Sequence, residues 1–192
     1  GNAVVSINPL PTAFNVTGGG SFCSGGSGVT VSLSGSQTGI SYQLFNGSTA
    51  VGLPLTGVGS SLDFGLQSTA GIYTVVATNA TTGCTNPMTG HATVVTNTLP
   101  VAYNVTGGGN YCSGGTGVHV GLNGSTTGVN YTLYSSTATI STVAGTGGPL
   151  DFGLQTLAST YTVIGVNAST GCSQNMTGSA TVATTPIVTP FV

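Results

Sequence analysis

The sequence predicts an all-β protein, two tandem β-sandwich domains preceded by an extra strand, and three observations carry that reading. The stretch NVTGGGSFCSGG, Asn15 to Gly26, returns as NVTGGGNYCSGG, Asn104 to Gly115, and LDFGLQ at 62–67 returns at 150–155, so the period is 89 residues at the front and 88 at the back. Short runs of alternating apolar residues lie between clusters of Gly, Asn and Ser, and no window sustains the period of a helix. The four cysteines fall one pair per repeat. A repeat of this length is a whole small domain that must close its own core, not a solenoid unit.

The elements follow in order. Residues 1–10 read as a strand in which Ala3, Val5 and Ile7 share one face and Pro9 stops the ladder. The segment Gly1 to Pro11 aligns with Gly90 to Pro100 and with Gly178 to Pro186, the closing strands of the two repeats. The chain therefore holds two domain bodies, 11–98 and 99–192, and three copies of a closing strand, the first with no body in front of it. Repeat one offers strands at Thr12 to Thr17, Gly28 to Ser34, Ile40 to Phe45, Leu62 to Phe64, Gly71 to Thr78 and Met88 to Thr96. Repeat two offers them at Val101 to Thr106, Gly117 to Leu122, Val129 to Tyr134, Leu150 to Phe152, Thr160 to Val166 and Met176 to Thr184. The one-residue deletion falls between Tyr131 and Leu150, where a surface connection is expected, and Asn46-Gly47 and Asn123-Gly124 are hairpin-turn signals.

Charge is nearly absent: 192 residues carry no Lys or Arg and two acidic side chains, Asp63 and Asp151. Nucleic-acid binding and attachment to anionic membranes are excluded, because both need cationic side chains to neutralise phosphate. A free domain usually keeps its neighbours away with a surface of roughly a quarter to a third charged residues. This surface must be built from Ser, Thr, Asn, Gln and Gly, which points to a chain covered by sugar, packed into an assembly, or both. No apolar run is long enough to cross a membrane and no basic segment precedes one, so neither membrane insertion nor a signal peptide is expected. Gly1 in place of Met suggests a mature or excised fragment of a longer precursor.

Of the three ways to join four cysteines, only Cys23 with Cys84 and Cys112 with Cys172 leave each domain self-contained, and their spans, 61 and 60 residues, agree. Two such disulfides would each add roughly 4 kcal/mol in the chain-entropy model and imply an oxidising, extracellular or cell-surface setting.

Phe22-Cys23 ahead of the second strand, the Gly71, Tyr73, Val75 strand, the Gly83-Cys84 turn and the Thr93, Val95 closing strand form one pattern. Repeat two has Tyr111, Cys112, Tyr161, Val163, Gly171, Cys172, Thr181 and Ala183, with Ser159 where the glycine would be. This pattern resembles the tandem immunoglobulin-like, PKD-type repeats of large bacterial surface proteins and adhesins. The resemblance implies immunoglobulin-like sandwiches and a secreted or cell-surface structural repeat. Acidic residues that bind calcium in some such repeats are missing here.

Candidate chemistry is thin. His91 and His119 occupy non-equivalent positions, their counterparts being Ser179 and Thr30, and read as surface-strand side chains. The DFG string at Asp63 and Asp151 lacks the rest of a kinase signature, so each carboxylate is expected to accept backbone N–H bonds at a turn. The TGGG segment lacks the Gly-Lys-Ser/Thr ending of a phosphate loop. No catalytic residue, metal ligand or cofactor is expected. Eight of 13 asparagines head an N-x-Ser/Thr triplet, and Asn15 with Asn104 and Asn79 with Asn167 are the sites that recur in both repeats, making them the first choice for covalent glycans. A sugar-binding module would need an aromatic platform, and the chain has no Trp. The spare strand, through Ala3, Val5 and Ile7, is expected to dock on a neighbouring copy near Thr181 to Val192, which makes further copies of the chain its expected partner.

Overall fold

The computed structural model describes residue 2, residues 7–136 and residues 138–187. The chain divides into two compact units, Gly1–Asn97 and Thr98–Val192. Among the described residues every regular element is a strand.

In unit 1 the strands are β1 (Val16–Gly18), β2 (Gly20–Cys23), β3 (Val29–Leu33), β4 (Ile40–Asn46), β5 (Thr49–Thr56), β6 (Leu62–Gln67), β7 (Gly71–Asn79), β8 (Thr85–Pro87) and β9 (Ala92–Asn97). They form two sheets, β1-β3-β6 and β2-β9-β7-β4-β5, with β8 beside the far end of β7. All neighbours are antiparallel except β2, which runs parallel to β9. Unit 2 repeats the plan with β10 (Val105–Gly107), β11 (Gly109–Cys112), β12 (Val118–Leu122), β13 (Val129–Ser135), β14 (Ala138–Ala144), β15 (Leu150–Gln155), β16 (Ser159–Asn167), β17 (Ser173–Asn175) and β18 (Ala180–Thr185). Its sheets are β10-β12-β15 and β11-β18-β16-β13-β14, with β17 beside β16.

This is immunoglobulin-like connectivity in both units: the opening strand is shared between the sheets, its first half on one and its second half parallel to the closing strand of the other. The TGGG segment is what lets it cross. A Cβ on Gly18 would lie 2.2 Å from the Thr30 carbonyl oxygen, and one on Gly19 would lie 2.6 Å from that of Thr93, so the backbone passes between both sheets at contact distance. Glycines 107 and 108 repeat the crossing against His119 and Thr181.

The strands form where alternating side chains can be buried between the sheets. Tyr73, Val75 and Ala77 of β7 face inward onto Tyr42 and Leu44 of β4, Val31 and Leu33 of β3 and Val94 of β9. Tyr131, Leu133, Tyr161, Val163, Val120 and Leu122 do the same in unit 2. The buried tyrosines keep their hydroxyls bonded. Tyr42 Oη accepts from Gln37 N–H at 2.8 Å and Tyr131 Oη from Thr126 N–H at 2.9 Å. Tyr73 Oη donates to the Thr69 carbonyl at 2.7 Å, and Tyr161 Oη to that of Leu157 at 2.9 Å. These last two, four residues back across the corner that leads into the strand, are the tyrosine corner of immunoglobulin-like sandwiches.

Several expectations change. The middle of each repeat is an edge strand, β5 or β14, and not a surface connection. The deletion sits inside its bulge: Tyr42 and Leu44 face Leu55 and Val51, whereas Leu133 and Tyr134 face Ser141 and Thr139, one extra residue fewer. Asn46-Gly47 opens a hairpin between β4 and β5, with Asn46 opposite Thr49. Asn123-Gly124 does not, because β12 and β13 lie in different sheets and Gly124 is packed on the Tyr103 ring. Of the N-terminal docking strand, Ala3 and Val5 lie outside the described residues, and Ile7 belongs to no strand and is 92% exposed.

Candidate functional site: free edges and the two ends of each unit

In each unit the opening strand runs parallel to the segment that precedes the closing strand. Asn15 bridges Thr89, Phe14 N–H donates to Met88 Sδ, and Asn86 Nδ2 donates to the Pro11 carbonyl at 2.7 Å. The chain thus enters unit 1 at the end that holds Cys84, whose carbonyl accepts from Asn79 N–H at 2.9 Å. It leaves at the other end, where Cys23 pairs with Asn97. In unit 2, Asn104 bridges Thr177, Tyr103 N–H donates to Met176 Sδ, the Cys172 carbonyl accepts from Asn167 N–H, and Cys112 pairs with Thr185. Cys84 and Cys172 therefore mark the leading ends, Cys23 and Cys112 the trailing ends.

This placement corrects the pairing expected from the sequence. Cys84 and Cys112 are thiols, whereas Cys23 and Cys172 are disulfide-bonded. The β7 and β9 register puts Cys23 about eleven strand residues from Cys84, roughly 36 Å at ~3.3 Å per residue. A disulfide needs Cα atoms within about 7 Å. No within-unit bond can form, and the matching spans of 61 and 60 residues record only that the two units are copies.

The docking seat near Thr181 to Val192 is also largely filled. β18 has β11 along Val182 to Thr185 on one side and β16 along Ala180 to Val182 on the other, and residues 188–192 lie outside the described ones. Partners are lacking on the outer sides of β5, β6, β14 and β15 among the described residues. Beside β6 in unit 1 the two sheets part over a cleft of about 360 Å³ lined by Val51, Leu53, Leu55 and Phe64. Leu53 there is 85% exposed, as is roughly half of Leu66. Sequence reasoning missed these edges because β5, with Gly52 and Pro54 inside it, does not read as a strand.

The acidic residues do what the turn reading expects. Asp63 Oδ1 accepts from Gly65 N–H and Asp151 Oδ1 from Gly153 N–H, each at 2.8 Å, fixing the bulge in the LDFGLQ strand. In unit 2 alone, Asp151 Oδ2 also lies 2.8 Å from His119 Nδ1, both side chains being mostly exposed. The Gly153 N–H, then the His119 imidazole, hold the Asp151 carboxyl below the usual carboxylate range. His91 is exposed just ahead of β9. Among the described residues no group of three or more His, Cys, Asp or Glu could hold a metal ion, and no helix is long and apolar enough to cross a membrane.

The recurrent asparagines separate into two kinds. Asn15 and Asn104 are exposed at the start of the opening strand. Asn79 and Asn167 are half-buried at turns, each Oδ1 accepting two backbone N–H bonds from the following residues, Thr81 and Thr82 or Ser169 and Thr170.

No protein-family model matches the sequence, and no curated protein is similar to it. Among solved structures the chain is similar to the human OSCAR ligand-binding domain, at 17% identity and a TM-score of 0.38, over 92% of this chain and 100% of that one. It is similar to the fibronectin(III)-like modules of Clostridium thermocellum CbhA at 13% identity and a TM-score of 0.43, over 88% and 95%. The chicken CNTN1 FN1-FN3 domains follow at 13% and 0.38, over 91% and 68%. The immunoglobulin-like assignment rests on the connectivity and the tyrosine corners of the chain itself.

Proposed function

We propose that the chain is a non-enzymatic structural subunit of an extracellular or cell-surface filament, joined head to tail to further copies of itself. One observation carries the reading: among the described residues both sandwiches have strand edges without a partner, in a chain without a single Lys or Arg to guard them. Edge strands are ordinarily kept from pairing by charged side chains, prolines or bulges, and here bulges, one proline and a single aspartate on each of β6 and β15 are the remaining defence. A segment that repeats the closing strand, with Ala3, Val5 and Ile7 on one face, is the natural occupant of such an edge. It precedes the leading end of unit 1, and ten extended residues reach about 33 Å, the length of one sandwich. Its proposed seat is the outer side of β15 in a neighbouring copy, where Leu154 is half exposed. That contact is heterologous and grows an open fibre. Covalent glycans on Asn15 and Asn104 would stand clear of the ladders, and sugar in place of charge would keep the fibre soluble. The resemblance to bacterial surface repeats agrees with this setting.

Negative-stain microscopy of the full chain and of a variant lacking residues 1–9 tests it: fibres from the first only are expected, and fibres unchanged by the deletion overturn the docking strand. A second reading, an adhesive or carbohydrate-binding module, draws on the cleft of about 430 Å³ in unit 1, rimmed by Asn46, Thr49, Ser68 and Thr69. Selective retention on a glycan array that N46A removes would favour it over the filament.

A further inference from the structure

The eight N-x-Ser/Thr triplets sort by what each asparagine side chain is doing. Four are engaged. Asn46 Nδ2 donates to the Ala70 carbonyl at 3.3 Å, and Asn123 Oδ1 accepts from Asn104 N–H at 2.9 Å. Asn79 and Asn167 each hold two backbone N–H groups of their own turn. The other four, Asn15, Asn104, Asn130 and Asn175, are exposed, and among the described residues their side-chain amides make no hydrogen bond. Asn15 and Asn104 recur in both repeats. Asn130 and Asn175 belong to unit 2 alone, their counterparts being Ser41 and Pro87.

These last two share one surface, the outer face of the larger sheet of unit 2. Asn130 of β13 lies opposite Val166 of β16, and Asn175 of β17 lies opposite Ile164. Val163 and Gly165 of β16 face the core, so Ile164 and Val166, which alternate with them, point outward and are partly exposed. Two strand spacings of ~4.8 Å and a step of two residues along β16 set the two asparagines roughly 12 Å apart, with those aliphatic side chains between them. Beside Asn175 the surface dips into a cleft of about 250 Å³, lined in part by Thr162, Ile164 and Met176.

We infer that Asn130 and Asn175 carry N-linked glycans and that this sugar covers the outer face of the larger sheet of unit 2. The modification stands on the placement of the two amides. Its consequence, that copies of the chain meet at strand edges and not through this face, rests on the filament reading. A sheet face of Thr, Tyr and aliphatic side chains with no charge on it is open to packing against its like, and a bulky, hydrated glycan prevents that. The apolar face of the first sugar ring on Asn175 has Ile164 to lie on, with the Thr162 hydroxyl at its rim. The co-reactant is an activated glycosyl diphosphate. The amide Nδ2 attacks its anomeric carbon, the carbon–nitrogen bond forms as the bond to the diphosphate oxygen breaks, the diphosphate leaves with the electron pair, and the amide gives up one proton. Tyr131 and Met176, the middle residues of the two triplets, are buried in the folded unit, so transfer precedes folding.

The test uses the full chain isolated from its native source and cut with chymotrypsin, since no Lys or Arg offers trypsin a site. Tandem mass spectrometry that keeps the sugar on its side chain should place a glycan on Asn130 and on Asn175. Either asparagine found bare, or sugar held only by hydroxyls such as those of Thr132 and Thr177, would overturn the inference. The N130Q/N175Q chain, secreted from the same source, reads the covering of the face by negative stain. Side-by-side bundles in place of single fibres are expected, and single fibres like those of the parent chain would overturn the covering role. Fibres built from chains whose Asn130 and Asn175 are bare would sink the glycans and leave the filament reading standing. Chains glycosylated at both positions that form no fibres would do the reverse.

Discussion

At the scale of single residues, one hydroxyl at the start of β7 and one at the start of β16 hold the corner ahead of the strand. Each tyrosine is about 1% exposed, and its hydroxyl donates four residues back. Burial holds the Tyr161 phenol above its usual range, which keeps it a donor. Tyr161→Phe keeps the ring and removes the bond, leaving the Leu157 carbonyl short of a partner, so unit 2 should lose about 1–2 kcal/mol in urea unfolding. A loss of no more than a few tenths would show that the corner is held by packing alone. A second residue-scale expectation concerns Asp151. Because its folded carboxyl titrates below the unfolded value, its contribution is present above the unfolded pKa and is lost as pH falls through the folded one. Both partners are mostly exposed, so the contribution to stability is small. The H119T variant, which installs the residue unit 1 carries at Thr30, should move the Asp151 midpoint upward in a carbon-detected NMR titration. An unmoved midpoint would leave Gly153 as the whole cause.

At the scale of elements, the two repeats solve one packing problem in two ways. A Cβ on Gly71 would fall 1.9 Å from Asn46 Oδ1, and Asn46 Nδ2 donates to the Ala70 carbonyl across that gap. In unit 2 the same two positions are Ser135 and Ser159, whose hydroxyls bond at 2.8 Å. The shorter Ser135 leaves the room that Ser159 fills, which is why the glycine of the repeat pattern is dispensable there. Gly71→Ser should therefore destabilise unit 1 by about 1–3 kcal/mol by overpacking. Adding Asn46→Ser should recover the part of the loss that comes from the clash with Asn46, leaving the cost of a side chain at the Gly71 φ of 156°, and additive costs in the double-mutant cycle would refute the coupling. Such pairs also mark what was legible. The strands around Val31, Tyr42, Tyr73 and Val94 announce themselves by alternation, and the repeat gives two units outright. The strand β2 was hidden by the glycines that carry it between sheets, and β5 by Gly52 and Pro54. The turn role of Asp63 and Asp151 was readable because Gly follows two residues later. The pairing of the cysteines was not, since sequence separation is blind to which end of a sandwich a residue occupies.

At the scale of the whole molecule, that misreading changes where stability resides. A within-unit disulfide would have added roughly 4 kcal/mol to each sandwich by limiting its unfolded chain. Neither unit has one: Cys23 and Cys84 stand at opposite ends of unit 1, Cys112 and Cys172 at opposite ends of unit 2. Each unit must hold together through its own core, the four fully buried tyrosines divided two and two, together with its ladders. Excised fragments 7–97 and 98–187, purified without reductant, should therefore each unfold in a single cooperative transition. Adding a reducing agent should leave the midpoint of each unchanged. A fall of several degrees on reduction, or an unfolded fragment, would place a stabilising bond inside the unit and overturn the assignment of cysteines to opposite ends.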